Sequence, residues 1–179
     1  LREAGIELPM YFDQGMYSWN HLAGAAMERY GADRLTIPVE LNEREIRDSG
    51  VQGEMIVYGY LPMMISAQCI RKTTLGCSGK SEIMWLKDRK DMRFPVVNQC
   101  RFCYNTIYNS APLSLLGLSE QVTGLKPNAV RLNFTVEEPA AAGEILDAFF
   151  EEYGMSEKAA EPPVLRNQFT RGHFKRGVE

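Results

Sequence analysis

Glu54-Met-Ile-Val-Tyr-Gly-Tyr-Leu-Pro-Met-Met-Ile-Ser-Ala-Gln-Cys69 decides how the rest of the chain is read. Its first part, Glu54 to Tyr60, is a short apolar run with the pattern of a strand covered on both faces. Its last residue opens a region, ending near Ser110, that holds all four cysteines: Cys69, Cys77, Cys100 and Cys103. A parallel strand ordinarily leads into a helix. This one leads into thiols, so the elements on either side decide which fold the thiols interrupt.

Toward the N-terminus, Leu8 to Asp13 has the composition of a short buried strand, and Gln14-Gly15 turns it toward a helix expected from about Ser18, as N-cap, to Tyr30. Arg34 to Glu40 is a second apolar strand. Asn42 with Glu45 three residues later is a capping-box signature and opens a short helix to Asp48. Toward the C-terminus, Ile83 to Leu86 and Arg93 to Val97 flank Asp88-Arg-Lys-Asp91 as a β-hairpin. Helical periodicity returns over Leu113 to Val122. Ala129 to Phe134 is a fourth strand and Ala140 to Tyr153 a fourth helix, with Gly154 beyond its end.

These elements make an α/β chain of four βα units, half of a (β/α)8 TIM-like barrel with a cysteine-rich β-hairpin insertion. A complete barrel takes roughly 250 residues, and the expected half covers 1–155 with the insertion at about 62–110. Residues 156–179 are expected to be a linker, rich in Glu, Lys and Pro, and a C-terminal extended segment. A half barrel leaves two open sheet edges, so its expected partner is the remainder of a longer chain or a self-associated copy. An open doubly wound sheet is the other architecture, but no strand is followed by a glycine-rich phosphate loop. The start at Leu1 and the uncapped end at Glu179 agree with a piece of a longer protein.

With 179 residues, 45% hydrophobic and 24% charged, the composition is that of one globular domain, and the formal charge of -3 makes no general case for nucleic-acid binding. The apolar run from Tyr60 to Ala67 is too short to span a bilayer, and no apolar leader precedes the first strand. A soluble, cytoplasmic chain without a membrane partner is therefore expected.

The cysteines are separated by seven, twenty-two and two residues. Four thiolates suit one tetrahedral zinc or one iron–sulfur cluster equally in ligand type, and the spacing does not choose between them. Disulfides or free buried thiols are the remaining readings. Cys100-Arg-Phe-Cys103 is the one short ligand motif, able to offer two sulfurs from a single turn.

Barrels place chemistry at the C-terminal ends of their strands, which selects Glu40 and Asp13 as candidate catalytic carboxylates. Glu40 serves equally as a partner that orients a loop, and Asp13 as a turn former. Tyr58 and Tyr60 flank Gly59 and are expected to pack in the core. The imidazoles are His21 and His173, and neither lies in a zinc-protease or nucleophile-elbow motif. Arg171, Lys175 and Arg176, with His173 and the aromatics Phe169 and Phe174, form a basic strip suited to nucleic-acid contact or simply to solvent.

Glu54, Gly59, Leu61 and Cys69 fall in register with the signature of the collagenase-like peptidase family U32, with Ile56, Tyr60, Pro62, Ala67 and Arg71 departing from it. Pro38-Val-Glu-Leu41, Leu86-Lys-Asp88, Phe94-Pro-Val96, Asn105 to Leu113 and Arg171-Gly-His-Phe-Lys-Arg-Gly177 resemble the same family over most of the chain. The resemblance implies a barrel-like fold, here its C-terminal half, within a longer protein. It also implies a 4Fe-4S cluster on four cysteines, and a part in hydroxylating RNA bases or quinone precursors. RNA then joins the expected partners, and a peptidase activity is the alternative. Cys69 and Cys77 match family ligands and Cys100 lies near a third. Pro62 stands where the family has a ligand, and Cys103 completes the set of four.

Overall fold

The computed structural model describes residues 2–154 and 168–177. In chain order its elements are β1 (Tyr11–Phe12), α1 (His21–Arg29), β2 (Arg34–Leu35), α2 (Glu43–Ser49), β3 (Glu54–Gly59), β4 (Pro62–Ser66), α3 (Ile70–Leu75) and β5 (Ile83–Lys87). Then follow β6 (Arg93–Gln99), β7 (Tyr104–Tyr108), β8 (Leu113–Ser114), α4 (Ser119–Gly124), β9 (Ala129–Asn133) and α5 (Pro139–Glu152). The architecture is mixed α/β, as the alternation of apolar runs and helical periods implies.

Strand β3 is the centre. Met55 to Tyr58 are 3% exposed or less, as a strand covered on both faces requires. On one side it pairs in parallel with β9, Glu54 opposite Ala129 and Gly59 opposite Asn133. On the other, its first residue bridges in parallel to Thr36, just past β2, and β2 pairs in parallel with β1. Four parallel segments thus lie side by side in chain order, and among the described residues they do not close into a barrel. The end of β3 is also covered by antiparallel β8, and β8 in turn by a parallel bridge from Thr170.

One side chain crosses this parallel array. Arg131 of β9 donates from Nε to Glu54 at 2.5 Å, from Nη1 to Asp13 at 3.0 Å and from Nη2 to Thr36 Oγ1 at 2.9 Å. Below and around the sheet, Ile37, Leu41 and Ile46 meet Val57, Leu116, Val122, Ile145 and Phe149 in one apolar cluster.

Several boundaries differ from the sequence expectation for identifiable reasons. The strands expected over Leu8 to Asp13 and Arg34 to Glu40 each shrink to two residues; Pro38 has no amide to continue a ladder. Helix α1 starts at His21 because the Asn20 side chain, rather than Ser18, accepts the cap bond from Ala23 N at 3.0 Å, and Ser18 is buried. The capping box at Asn42 and Glu45 is formed as expected. The helix expected over Leu113 to Val122 begins only at Ser119: Ser114 N bonds to Thr170 O and Leu115 N to Val57 O, so these amides complete sheet contacts instead. The expected hairpin is present as β5 and β6, inside a larger antiparallel sheet ordered β4-β7-β6-β5 that spans Pro62 to Tyr108.

The linker expected from 156 lies outside the described residues up to 167. Residues 168–177, expected to be extended, turn through 172–176 and pack inward. Phe174 is 4% exposed, its carbonyl accepts from Glu43 N at 2.9 Å, and Gly177 lies against the Asn42 cap. Among the described residues no helix is long and apolar enough to cross a membrane.

Two glycine substitutions separate close approach from open space. At Gly59, φ is +148° and an added Cβ would sit 2.4 Å from Asn133 O, across the β3–β9 pair. Gly59→Ala is expected to cost roughly 2 kcal/mol or more in urea denaturation. Gly143, inside α5 with nothing within 4 Å of an added Cβ, should gain about 0.5–1 kcal/mol as Gly143→Ala.

Candidate functional site

The antiparallel sheet gathers the thiols because of its pairing. Its loops after β4, before β5 and between β6 and β7 all emerge at one end, since Ser66 pairs with Asn105, Gln99 with Tyr104 and Ile83 with Val97. Cys69 lies in the first loop, Cys77 in the second, and Cys100 and Cys103 in the third. All four line one cavity of about 450 Å³, with Gln68, Lys72 and Asn98 beside them. All four are free cysteines, Cys77 and Cys103 exposed and Cys69 and Cys100 half-buried.

Each thiol has a defined local setting. Cys69 is the N-cap of α3, its Sγ accepting from Lys72 N at 3.4 Å. Cys100 Sγ lies 3.0 Å from Lys80 O, to which it donates, and its amide donates to Ser81 Oγ at 3.3 Å. Cys103 adopts the left-handed conformation, with φ of 55°, and its Sγ donates to Cys100 O at 3.7 Å. The Cys100 thiol is pushed up, first by desolvation, then by the charges of Cys77, Cys69, Cys103 and Glu82.

Two buried asparagines hold these loops, and motif reading missed both. Asn98 and Asn105 face each other across β6 and β7, and each is completely buried. Asn98 Oδ1 accepts from Glu82 N and its Nδ2 donates to Lys80 O at 3.4 Å, which fixes the loop after Cys77. Asn105 Nδ2 donates to Gln68 O at 2.8 Å, one residue before Cys69. Their only signal was position: Asn98 stands two residues before Cys100 and Asn105 two after Cys103, each within a strand. Arg71 of α3 also pairs with Glu82, joining the loop of Cys69 to the entry of β5.

The donor set fits a soft metal or cluster in kind and number, and it opens on a single cavity. The sulfurs share that cavity without standing at ligating distance: among the described residues no three His, Cys, Asp or Glu groups are disposed to hold a metal ion.

The two candidate carboxylates have different surroundings. Asp13 caps the turn after β1 through Gln14 N and pairs with Arg131, so its charge is matched. Glu40 lines a cavity of about 430 Å³ with Gln14, Leu61, Met63 and His173, and it has no hydrogen-bond or ion-pair partner among the described residues. His173 Nδ1 lies 2.8 Å from Gly177 O, a group that can only accept, so Nδ1 donates and, in the neutral ring, Nε2 is the acceptor. His21 is exposed at the start of α1.

In the basic strip, Arg171 donates from Nη1 to Ser114 O at 2.8 Å and Leu116 O at 2.6 Å, and stacks over Phe169. Burial lowers its pKa. Lys175 and Arg176 are exposed, Lys175 lying over the Phe174 ring. Tyr58 and Tyr60, expected in the core, both reach a further cavity shared with Glu137, although Tyr58 is itself only 3% exposed.

Comparison with family models, with curated proteins and with solved structures found no match to this chain.

Asn98→Ala leaves Glu82 N and Lys80 O without their partner in a buried setting. It is expected to cost about 1–3 kcal/mol in denaturant unfolding and to speed labelling of Cys77 and Cys100 by a thiol reagent, whereas Asn105→Ala should chiefly release Cys69.

Proposed function

We propose that this chain is the C-terminal half of a (β/α)8-type barrel in a cytoplasmic iron–sulfur protein of the collagenase-like U32 type, acting in the hydroxylation of RNA bases. The observation that carries this reading is the convergence of Cys69, Cys77, Cys100 and Cys103, from three loops, on one cavity at one end of one sheet. Those four residues would hold a 4Fe-4S cluster, which when bound supplies one-electron redox chemistry. The same thiols would serve a structural zinc in a scaffold module, the alternative cofactor.

The chain's own residues have definite parts in this reading. Asn98 and Asn105 set the approach of the cysteine loops. Glu40 offers a carboxylate unpaired among the described residues, where β2 leads into α2. Asp13, matched by Arg131, serves to position the strand end and not to transfer protons. Lys175 and Arg176 are exposed and free to meet RNA phosphates, while Arg171 anchors their segment to Ser114 and Leu116. The parallel order β1, β2, β3, β9 supports the half-barrel reading, with the missing half supplied by the remaining chain or by a second copy.

Proteolysis is the second reading, favoured by one observation: Glu40 and His173 line the same cavity, and the His173 tautomer leaves Nε2 able to accept a proton.

Anaerobically prepared full-length protein is expected to carry about four irons with matching sulfide per chain, and Cys103→Ser to lower that content. One zinc per chain and no sulfide would reject the cluster in favour of the structural metal. RNA from a strain lacking the protein should lose a hydroxylated base; an unchanged modification profile counts against that activity. Peptide hydrolysis abolished by His173→Ala and by Glu40→Gln would establish the second reading in its place.

A further inference from the structure

We infer that the rim of the four-cysteine cavity is the docking face for a small acidic electron-carrier protein, a partner that rests on the cluster reading above because it would supply electrons to that same site. Charge is divided unevenly along the chain. Residues 62–110 carry eight Lys and Arg against three Asp and Glu, a formal +5, in a chain of -3 overall, which leaves -8 for everything else. The cysteine sheet is thus a basic module on an acidic body, and its field draws in a partner of opposite sign.

At the cysteine end the cations are not neutralised by the fold. Glu82 is the one carboxylate within residues 66–82 and 98–105, and Arg71 holds it at 2.5 Å. Lys72 lines the cavity, the Lys80 carbonyl receives the Cys100 thiol, and Arg101 stands between Cys100 and Cys103. All three are exposed, and none has an ion-pair partner among the described residues. Beside them the fold leaves two large apolar side chains uncovered. Leu75, two residues before Cys77, is 71% exposed, and Phe102, next to Cys103, is 67% exposed. Cys77 and Cys103 are themselves exposed.

A few apolar residues that adhere, with charges beside them that steer the approach and set orientation, make a surface for brief contact between proteins. Redox encounters belong to the small end of protein interfaces, and three loop tips offer a face of that size. One electron leaves the reduced carrier and is taken up at the four-cysteine site, with no bond made or broken. A nucleic acid suits this face less well. Three unpaired cations neutralise few phosphates. Phe102 already has ring partners, Tyr104 stacked at 6.4 Å and Arg101 at 5.4 Å from its centre, and Leu75 offers no ring for a base.

The probe is a plant-type 2Fe-2S ferredoxin of acidic charge, compared with polyglutamate and with a single RNA strand of about twelve nucleotides. Calorimetry on the full chain, prepared anaerobically with its iron and sulfide measured, is expected to show saturable ferredoxin binding. Raising salt from about 20 to about 200 mM should weaken it roughly tenfold, exposed charges being screened. Reversing the rim with Lys72→Glu, Lys80→Glu and Arg101→Glu together should weaken it by a similar factor and slow the oxidation of reduced ferredoxin by the iron-loaded chain, with iron content unchanged. Phe102→Ser should cost severalfold with ferredoxin and nothing with polyglutamate, while Arg89→Glu with Lys90→Glu, at the opposite end of the sheet, should have little effect. An iron-loaded chain that binds no ferredoxin, leaves reduced ferredoxin unoxidised, or is indifferent to the triple reversal overturns the docking face alone. RNA bound more tightly than ferredoxin, and lost in the triple variant, gives the face to nucleic acid instead. Zinc without sulfide in the same sample rejects the cluster reading and this carrier with it. If the triple variant does not fold, unchanged ferredoxin affinity in both Phe102→Ser and Lys72→Gln overturns the proposal.

Discussion

A single guanidinium holds the parallel half of the molecule together. The β1–β2 ladder is two residues long and the link from β2 to β3 is a lone bridge, so backbone pairing alone gives these strands little to fix their order. Arg131 reaches from β9 across Glu54 to Thr36 and Asp13, touching a residue at or just beyond every one of the other three strands. Burial alone would lower its pKa, but hydrogen bonds and charge from Glu54 and Asp13 more than offset this and hold it up. A lysine at the same place would have a mobile point charge where this site uses a rigid fork of donors. Removing the arginine would leave Glu54 half-buried and unmatched, which is the costly way to lose an ion pair.

The antiparallel sheet solves a different problem with neutral groups. Thiols on three loops come near one another only if each loop is held at its base, and Asn98 and Asn105 do this from inside the sheet without adding charge to a region that would bear several thiolates. Their amides bond to backbone carbonyls and to a backbone amide, and Asn98 Nδ2 also donates to Cys100 Sγ at 3.6 Å, so the loops are set largely by main-chain contacts while the sulfurs line the cavity. Order is thus built into the strands, and the four sulfurs sit on the loops between them.

Much of this was legible in the chain. Glu54 to Tyr60 announced a covered strand, Asn42 with Glu45 announced a cap, and the confinement of the cysteines to one region matches the one cavity they line. What escaped reading has physical causes. Leu113 to Val122 has helical spacing, but spacing does not record that Ser114 and Leu115 amides are taken by Thr170 and Val57, far away in sequence. β4 was hidden because Met63 to Ile65 are exposed on an edge strand and show no alternation. Arg131 is one cation in a mostly apolar strand and acquires meaning only from Glu54, Asp13 and Thr36, which folding brings to it. Glu40 was visible by position, its lack of a partner among the described residues only by structure.

The neck of the inserted sheet bears on how the chain finds its fold. Leu61 O accepts from Asn109 N at 2.9 Å, directly beside the Pro62–Tyr108 pair, so the segment that separates β3 from β8 begins and ends at nearly the same point. Its strands pair mostly with near neighbours in sequence, contacts that form quickly. Once they have formed, β3 meets β8 and β9 as though the long intervening segment were a tight loop. The entropy of closing it has then been met locally, before any long-range pairing is attempted.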